Sequence, residues 1–95
     1  MLFEWDENKG KVNLAKHQID FGDVWRIFEG PVFEKVDSRR GEDRIFAIGL
    51  MEGIPIVVVY VMRGEQRRII SARRANRDEG QDYQNHLEAT AKRQE

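Results

Sequence analysis

The chain has 95 residues, 40% hydrophobic and 35% charged, with a formal net charge of −1 and no cysteine. That length supports a single domain, residues 1–95, near the lower end of what one hydrophobic core stabilises. Disulfide scaffolds and thiolate chemistry are excluded, and no apolar run approaches the ~18 residues of a membrane-spanning helix.

The N-terminal MLFEWDENKGK carries acids early and has no long apolar stretch, which argues against a secretory signal and for a soluble, cytoplasmic domain. Residues 3–5 read as a short strand or an apolar lead-in. Asp6 is a predicted N-cap with Glu7 in the first turn, where the helix dipole favours an acid. The helix should reach about His17, with Val12, Ala15 and Ile19 on one side and Leu14 beside them. Asp20 caps a second helix, in which Phe21, Val24, Trp25 and Phe28 follow the i, i+3, i+4, i+7 rule until Gly30-Pro31 stops it.

Beyond Pro31 the period changes to that of strands. Residues 32–36 read as one strand and 44–50 as a second, joined by the charged turn DSRRGED. Residues 56–62, IVVVYVM, are apolar at every position and so predict a central strand covered on both faces. Arg63-Gly64-Glu65 is a hairpin turn, and residues 66–73 return antiparallel. Asn76 caps a last helix with Glu79 at N3, an approximate capping box. Tyr83 and Leu87 share its apolar face, Gly80 weakens it, and its last ten or so residues are expected to fray. The sum is an α+β fold: two N-terminal helices, an antiparallel sheet of about four strands, and a C-terminal helix.

Charge is segregated along the chain. Residues 63–77 hold six arginines (63, 67, 68, 73, 74 and 77) against one acid, Glu65, whereas from residue 78 onward five acids face Lys92 and Arg93. Regular strand alternation puts Arg67, Ile69, Ser71 and Arg73 on one face and Arg68, Ile70, Ala72 and Arg74 on the other. Each face is then basic at its ends, with the arginines at the rims of the sheet. Such arginines offer planar forks matched to phosphate oxygens; they serve equally well as charges that keep a strand edge from pairing. His17, in the last turn of its helix, is either a partner of the helix dipole or a proton-transfer group. His86 reads as surface decoration. Metal-ligand spacings such as HExxH or CxxC do not occur, nor do phosphate loops of the Walker or GxGxxG type, nor GxSxG. The residues alone leave the chemistry open.

Three stretches together carry a resemblance: FEWDENKGKVNLAKH at 3–17, GEDRIFAIG at 41–49, and VVVYVMRGEQRRIISARRANRDEGQDY at 57–83. In order and spacing the sequence resembles the BrnT family of bacterial type II toxins. The resemblance implies a RelE-like ribonuclease fold and an endoribonuclease that works without metal or cofactor. It also implies a ribbon-helix-helix antitoxin, BrnA, as partner, with operator DNA reached only through that antitoxin. By match to the family motifs, Lys16 and His17 stand at its KH pair, Arg44 at the ER position of the second block, Ser71, Arg73 and Arg74 at its SARR or SARK stretch, and Tyr83 at its late aromatic. Arg68, Arg73 and Arg74 are expected to contact phosphate in the transition state. His17 is expected to act as general acid or base, with Lys16 and Tyr83 as alternates. Arg44, Arg63, Arg67, Ser71 and Arg77 are expected along the RNA path. Two departures stand out. Gln18 replaces the glycine that usually follows the KH pair and predicts a different helix end, and RDEGQDY replaces a strongly basic last helix. The second predicts weaker RNA binding and raises a competing reading: an attenuated or non-catalytic module that mainly docks the antitoxin as co-repressor. No membrane partner is expected, and the apolar edge of the meander leaves room for a homodimer.

Overall fold

Strand pairing in the computed structural model, which describes residues 2–93, joins the two ends of the chain. The elements are β1 (Leu2–Glu4), α1 (Glu7–His17), a 3-10 helix (Phe21–Glu29), β2 (Phe33–Asp37), β3 (Arg44–Met51), β4 (Ile54–Arg63), β5 (Gln66–Arg74) and α2 (Arg77–Arg93). They form one five-stranded sheet in the order β1-β5-β4-β3-β2. The α+β class is as expected, but the sheet has five strands rather than four: β2 to β5 are the antiparallel meander, and β1 adds in parallel to β5, with Phe3 opposite Arg67. None of the helices among the described residues is long and apolar enough to cross a membrane.

β4 is buried on both sides, as its composition predicted. Val58 and Tyr60 face a cluster with Ile19, Phe21, Val24 and Ile27, while Val57 and Val59 face Tyr83 of α2. The 3-10 helix therefore covers one face of the sheet and α2 the other, while α1 adds no side chain to either cluster and meets the edge of β5.

The second helix departs from expectation in kind. It is a nine-residue 3-10 helix, longer than such helices usually run. With three residues per turn, Phe21, Val24 and Ile27 stack on one line and are buried, and Trp25 is left 46% exposed. The tighter winding brings the segment directly onto β3. A Cβ on Gly49 would stand 2.8 Å from Ile27 Cβ, so glycine is the residue that permits this approach.

α1 departs too. Val12 is 65% exposed and Leu14 45%, and the one buried residue of the helix is polar, Asn13. The expected apolar stripe does not dock the helix. α2 follows its predicted start, where the Asn76 side chain accepts from the Glu79 N–H at 2.8 Å and the Glu79 side chain from the Asn76 N–H at 2.9 Å. It remains helical through Arg93, across most of the segment expected to fray; residues 94 and 95 lie outside the described residues.

Candidate nucleic-acid interface

The arginine-rich strand does not alternate regularly. Val59 pairs with Ser71 and Tyr60 with Ile69, which leaves Ile70 as the extra residue of a bulge. A bulge puts two residues against one and shifts the side-chain parity beyond it. The actual faces are therefore Arg67, Ile69, Ala72 and Arg74 toward the 3-10 side, and Arg68, Ser71 and Arg73 toward the α2 side, as their partners on β4 show. The expected grouping of Ser71 and Arg73 with Arg67, and of Ala72 and Arg74 with Arg68, is overturned.

The two arginine pairs also lie at opposite ends of β5, roughly 20 Å apart at the usual rise per strand residue. Arg67 is packed rather than presented: its guanidinium lies 4.7 Å from the Phe28 ring centroid, 5.2 Å from Tyr60 and 6.0 Å from Phe3. Its Nε is buried without a hydrogen-bond partner. Arg68 lies 3.6 Å from Glu4 on β1. Arg63 lies 3.7 Å from Glu42, an exposed pair of little energetic weight. Arg44, opposite Asp37 in the ladder, has its Nε buried without a partner, and Arg77 is exposed at the start of α2. Arg44, Arg63, Arg67 and Arg68 lie at one end of the strand, and Arg77, although it follows Arg74 by three residues, does not line the concavity at the other.

At that other end, four expected residues converge. Lys16, His17, Gln18, Arg73 and Arg74 line one open concavity of about 450 Å³. A second groove continues from it along α1 to Ile70 and Ser71 and shares Lys16 and His17. Neither is lined by a carboxylate, in a chain whose formal net charge is −1. That local excess of positive charge is what a polyanion would meet.

What brings Lys16 and His17 there is Asn13. Its amide nitrogen donates to the Ala72 carbonyl at 2.9 Å and to the Ile19 carbonyl at 3.0 Å, and its Oδ1 accepts from the Ala72 N–H at 3.1 Å. One side chain thus occupies both ladder positions of Ala72, as a neighbouring strand would, beyond the point where β1 ends. The helix then stops one turn later, because Gln18 adopts the left-handed conformation (φ 58°, ψ 31°) and its N–H donates to the Leu14 carbonyl at 2.9 Å. The different helix end predicted from Gln18 is not observed: glutamine takes the backbone geometry that glycine usually supplies. Asn13 is the contributor that the sequence reading missed. Its one signal was a polar residue one turn before the histidine, on a helix without a coherent apolar stripe.

The two arginines of the concavity differ. Arg73 forms a two-pronged pair with Glu79, Nη1 to Oε1 at 2.7 Å and Nη2 to Oε2 at 2.9 Å. The guanidinium holds the Glu79 carboxyl below its ordinary range, against the opposing effect of burial and with help from the Asn76 N–H. Glu79 thus closes the cap of α2 and neutralises Arg73 with the same carboxylate. Arg74 is exposed and forms no ion pair among the described residues. Tyr83 does not join the site. It is fully buried in the α2-side core, its hydroxyl donates to the Pro31 carbonyl at 2.8 Å, and burial raises its pKa. His86 stacks on Phe33 with centroids 4.8 Å apart, far along α2 from the concavity.

A comparison with curated proteins finds no match. The family model described as the ribonuclease toxin, BrnT, of type II toxin-antitoxin systems matches residues 5–79. This span starts before α1 and ends at Glu79, so it contains every side chain of the basic concavity. With its model matching most of the chain, the protein belongs to the BrnT family of ribonuclease toxins.

Proposed function

We propose that the Lys16–His17–Arg74 concavity is the RNA-cleaving site of an endoribonuclease toxin acting in the cytoplasm, with the RelE-like arrangement of helices on an antiparallel sheet. The observation that carries the reading is the meeting of the one histidine of α1 with Lys16, Arg73 and Arg74 in a concavity whose lining has no carboxylate, Arg73 alone of the three being paired, to Glu79 behind it, among the described residues. Cleavage proceeds by attack of a ribose 2′-hydroxyl on the adjacent phosphodiester. The 2′ proton leaves to His17, the bond from phosphorus to the 5′ oxygen breaks as the 2′,3′-cyclic phosphate forms, and the departing 5′ oxygen takes its proton from water in the open concavity. Arg74 and Lys16 stabilise the charge on the phosphorane oxygens, so positive charge needed in the transition state is fixed before reaction begins. DNA lacks the nucleophile and is not cut. Arg73 holds α2 against the site through Glu79 and is a positioning residue. The antitoxin partner implied by family membership is, in this proposal, a ribbon-helix-helix protein that covers the same basic surface.

Induced expression in a bacterial host tests this with wild type beside His17→Ala, Arg74→Ala and the double Arg73→Ala/Arg74→Ala change. Wild type arrests growth, and each variant relieves arrest at equal protein accumulation. Purified His17→Ala loses about 10²-fold or more in cleavage rate, the usual contribution of a positioned proton-transfer group. The commitment of Arg73 to Glu79 and the acids of α2 support a second reading, a docking module without catalysis. It takes over if well-expressed wild type neither arrests growth nor releases cyclic-phosphate ends from RNA.

A further inference from the structure

The groove that leaves the concavity along α1 has its own composition. Three successive helical turns face β5 in pairs four residues apart: Asn8 and Lys9, Val12 and Asn13, Lys16 and His17. Asn13 is consumed by its bonds to Ala72 and Ile19. The opposite wall is Ile70 and Ser71, and it is the bulge that brings Ser71 onto the same side of the strand as Ile70. The result is an apolar middle, Val12 and Ile70, between a lysine at each end, with hydroxyl and amide groups beside it and no acid in the lining. From Asn8 to His17 the helix advances roughly 14 Å at its usual rise, and the acids Asp6 and Glu7 close the far end.

We propose that this groove is a nucleotide subsite, in which the base and sugar flanking the scissile phosphate lie on Val12 and Ile70 while Lys9 holds the next phosphate. Single-stranded nucleic acid is held this way elsewhere, by cations that track the backbone and side-chain surfaces that accept an unstacked base. The assignment rests on the reading of the Lys16–Arg74 concavity as an RNA site and extends it by naming which way the strand runs. Asn8 and Ser71 are placed to meet polar edges of the base, so they are the positions where sequence preference is set.

The test is fluorescence anisotropy with uncleavable 2′-O-methyl RNA pools of two, four and six nucleotides. Wild type, Lys9→Ala/Val12→Ser and Arg74→Ala are compared. Lys9 and Val12 are exposed, so the double change leaves the core intact, and circular dichroism verifies that. The expected result is wild-type affinity that rises with length, and a double variant that loses about fivefold to tenfold on the longer RNAs but much less on the dinucleotide. Arg74→Ala weakens every length. If the double variant matches wild type at all lengths while Arg74→Ala still weakens binding, the subsite is wrong and the concavity stands. The same holds if the groove variants lose only binding to the antitoxin and not to RNA. If wild type binds no length of RNA, the subsite and the site it extends both fall.

Discussion

Asn13 shows how much one side chain can carry. It satisfies the N–H and C=O of Ala72 and the C=O of Ile19 within a buried environment. Replacing it with alanine leaves three backbone groups unpaired, for which about 2–4 kcal/mol of stability is the expected loss. Urea denaturation of Asn13→Ala measures this directly, and a loss below 1 kcal/mol, on the order of a single ordinary hydrogen bond, would show that water takes over the job. Asn13→Asp is a sharper probe, since a carboxylate cannot donate to the two carbonyls. Glu79 carries a pH signature. Its folded pKa is depressed below the ordinary 4.5 by Arg73, so its contribution to stability is full above the unfolded value and is lost as pH falls through the folded one. Glu79→Gln should therefore be less stable than wild type at neutral pH, and the gap should close in acid, as the pH falls below the ordinary 4.5 and through the depressed folded value. Denaturation midpoints measured from pH 7 down to pH 3 follow this difference, and a gap that stays constant would assign the effect to shape rather than charge.

The helix end at Gln18 is the feature of α1 most open to improvement. A non-glycine residue in the left-handed region is strained by roughly 1 kcal/mol. Glycine relieves that strain but loosens the unfolded chain, so Gln18→Gly is expected to gain about 0.5 kcal/mol net. Calorimetry should find Tm raised by about 2–4 °C in a domain of this size; an unchanged or lowered Tm would mean that the Gln18 side-chain bond to the Ala15 carbonyl outweighs the strain. Other elements differ in how far they could be read from sequence. β3, β4 and β5 were found within two residues of their ends, and the Asn76–Glu79 cap at its exact positions, because alternation and capping are local properties. The 3-10 helix was misjudged because a spacing of three satisfies both helix types in its first turn, and packing on Gly49 decides between them. β1 was read as a strand or a lead-in because its partner is more than sixty residues away. The bulge at Ile70 has no residue signature at all, which is why both arginine faces were assigned wrongly.

For the molecule as a whole, net charge misleads. A value of −1 predicts indifference to polyanions, yet no acid lines the concavity or the groove, which hold Lys9, Lys16, Arg73 and Arg74. If Lys9, Lys16 and Arg74 are the three phosphate contacts, log affinity for single-stranded RNA should fall against log salt with a slope of about −2. Anisotropy titrations between low and physiological salt measure the slope, and a value near zero would remove electrostatics from the account of binding. The meeting of Lys16, His17 and Arg74 in one concavity joins residues singled out by motif match, whereas the separation of Arg67 and Arg68 from them follows from the length of β5 and could have been reckoned in advance. The pairing of β1 with β5, and of Asn13 with Ala72, has a further consequence in time. His17 and Arg74 are 57 positions apart in the chain, so at roughly 5–20 residues per second their synthesis is separated by about 3 to 11 s. Throughout that interval the first strand and first helix have no β5 to dock on, and the histidine has no arginine beside it. If the concavity is the cleaving site, a nascent chain cannot complete it until its last strand has emerged.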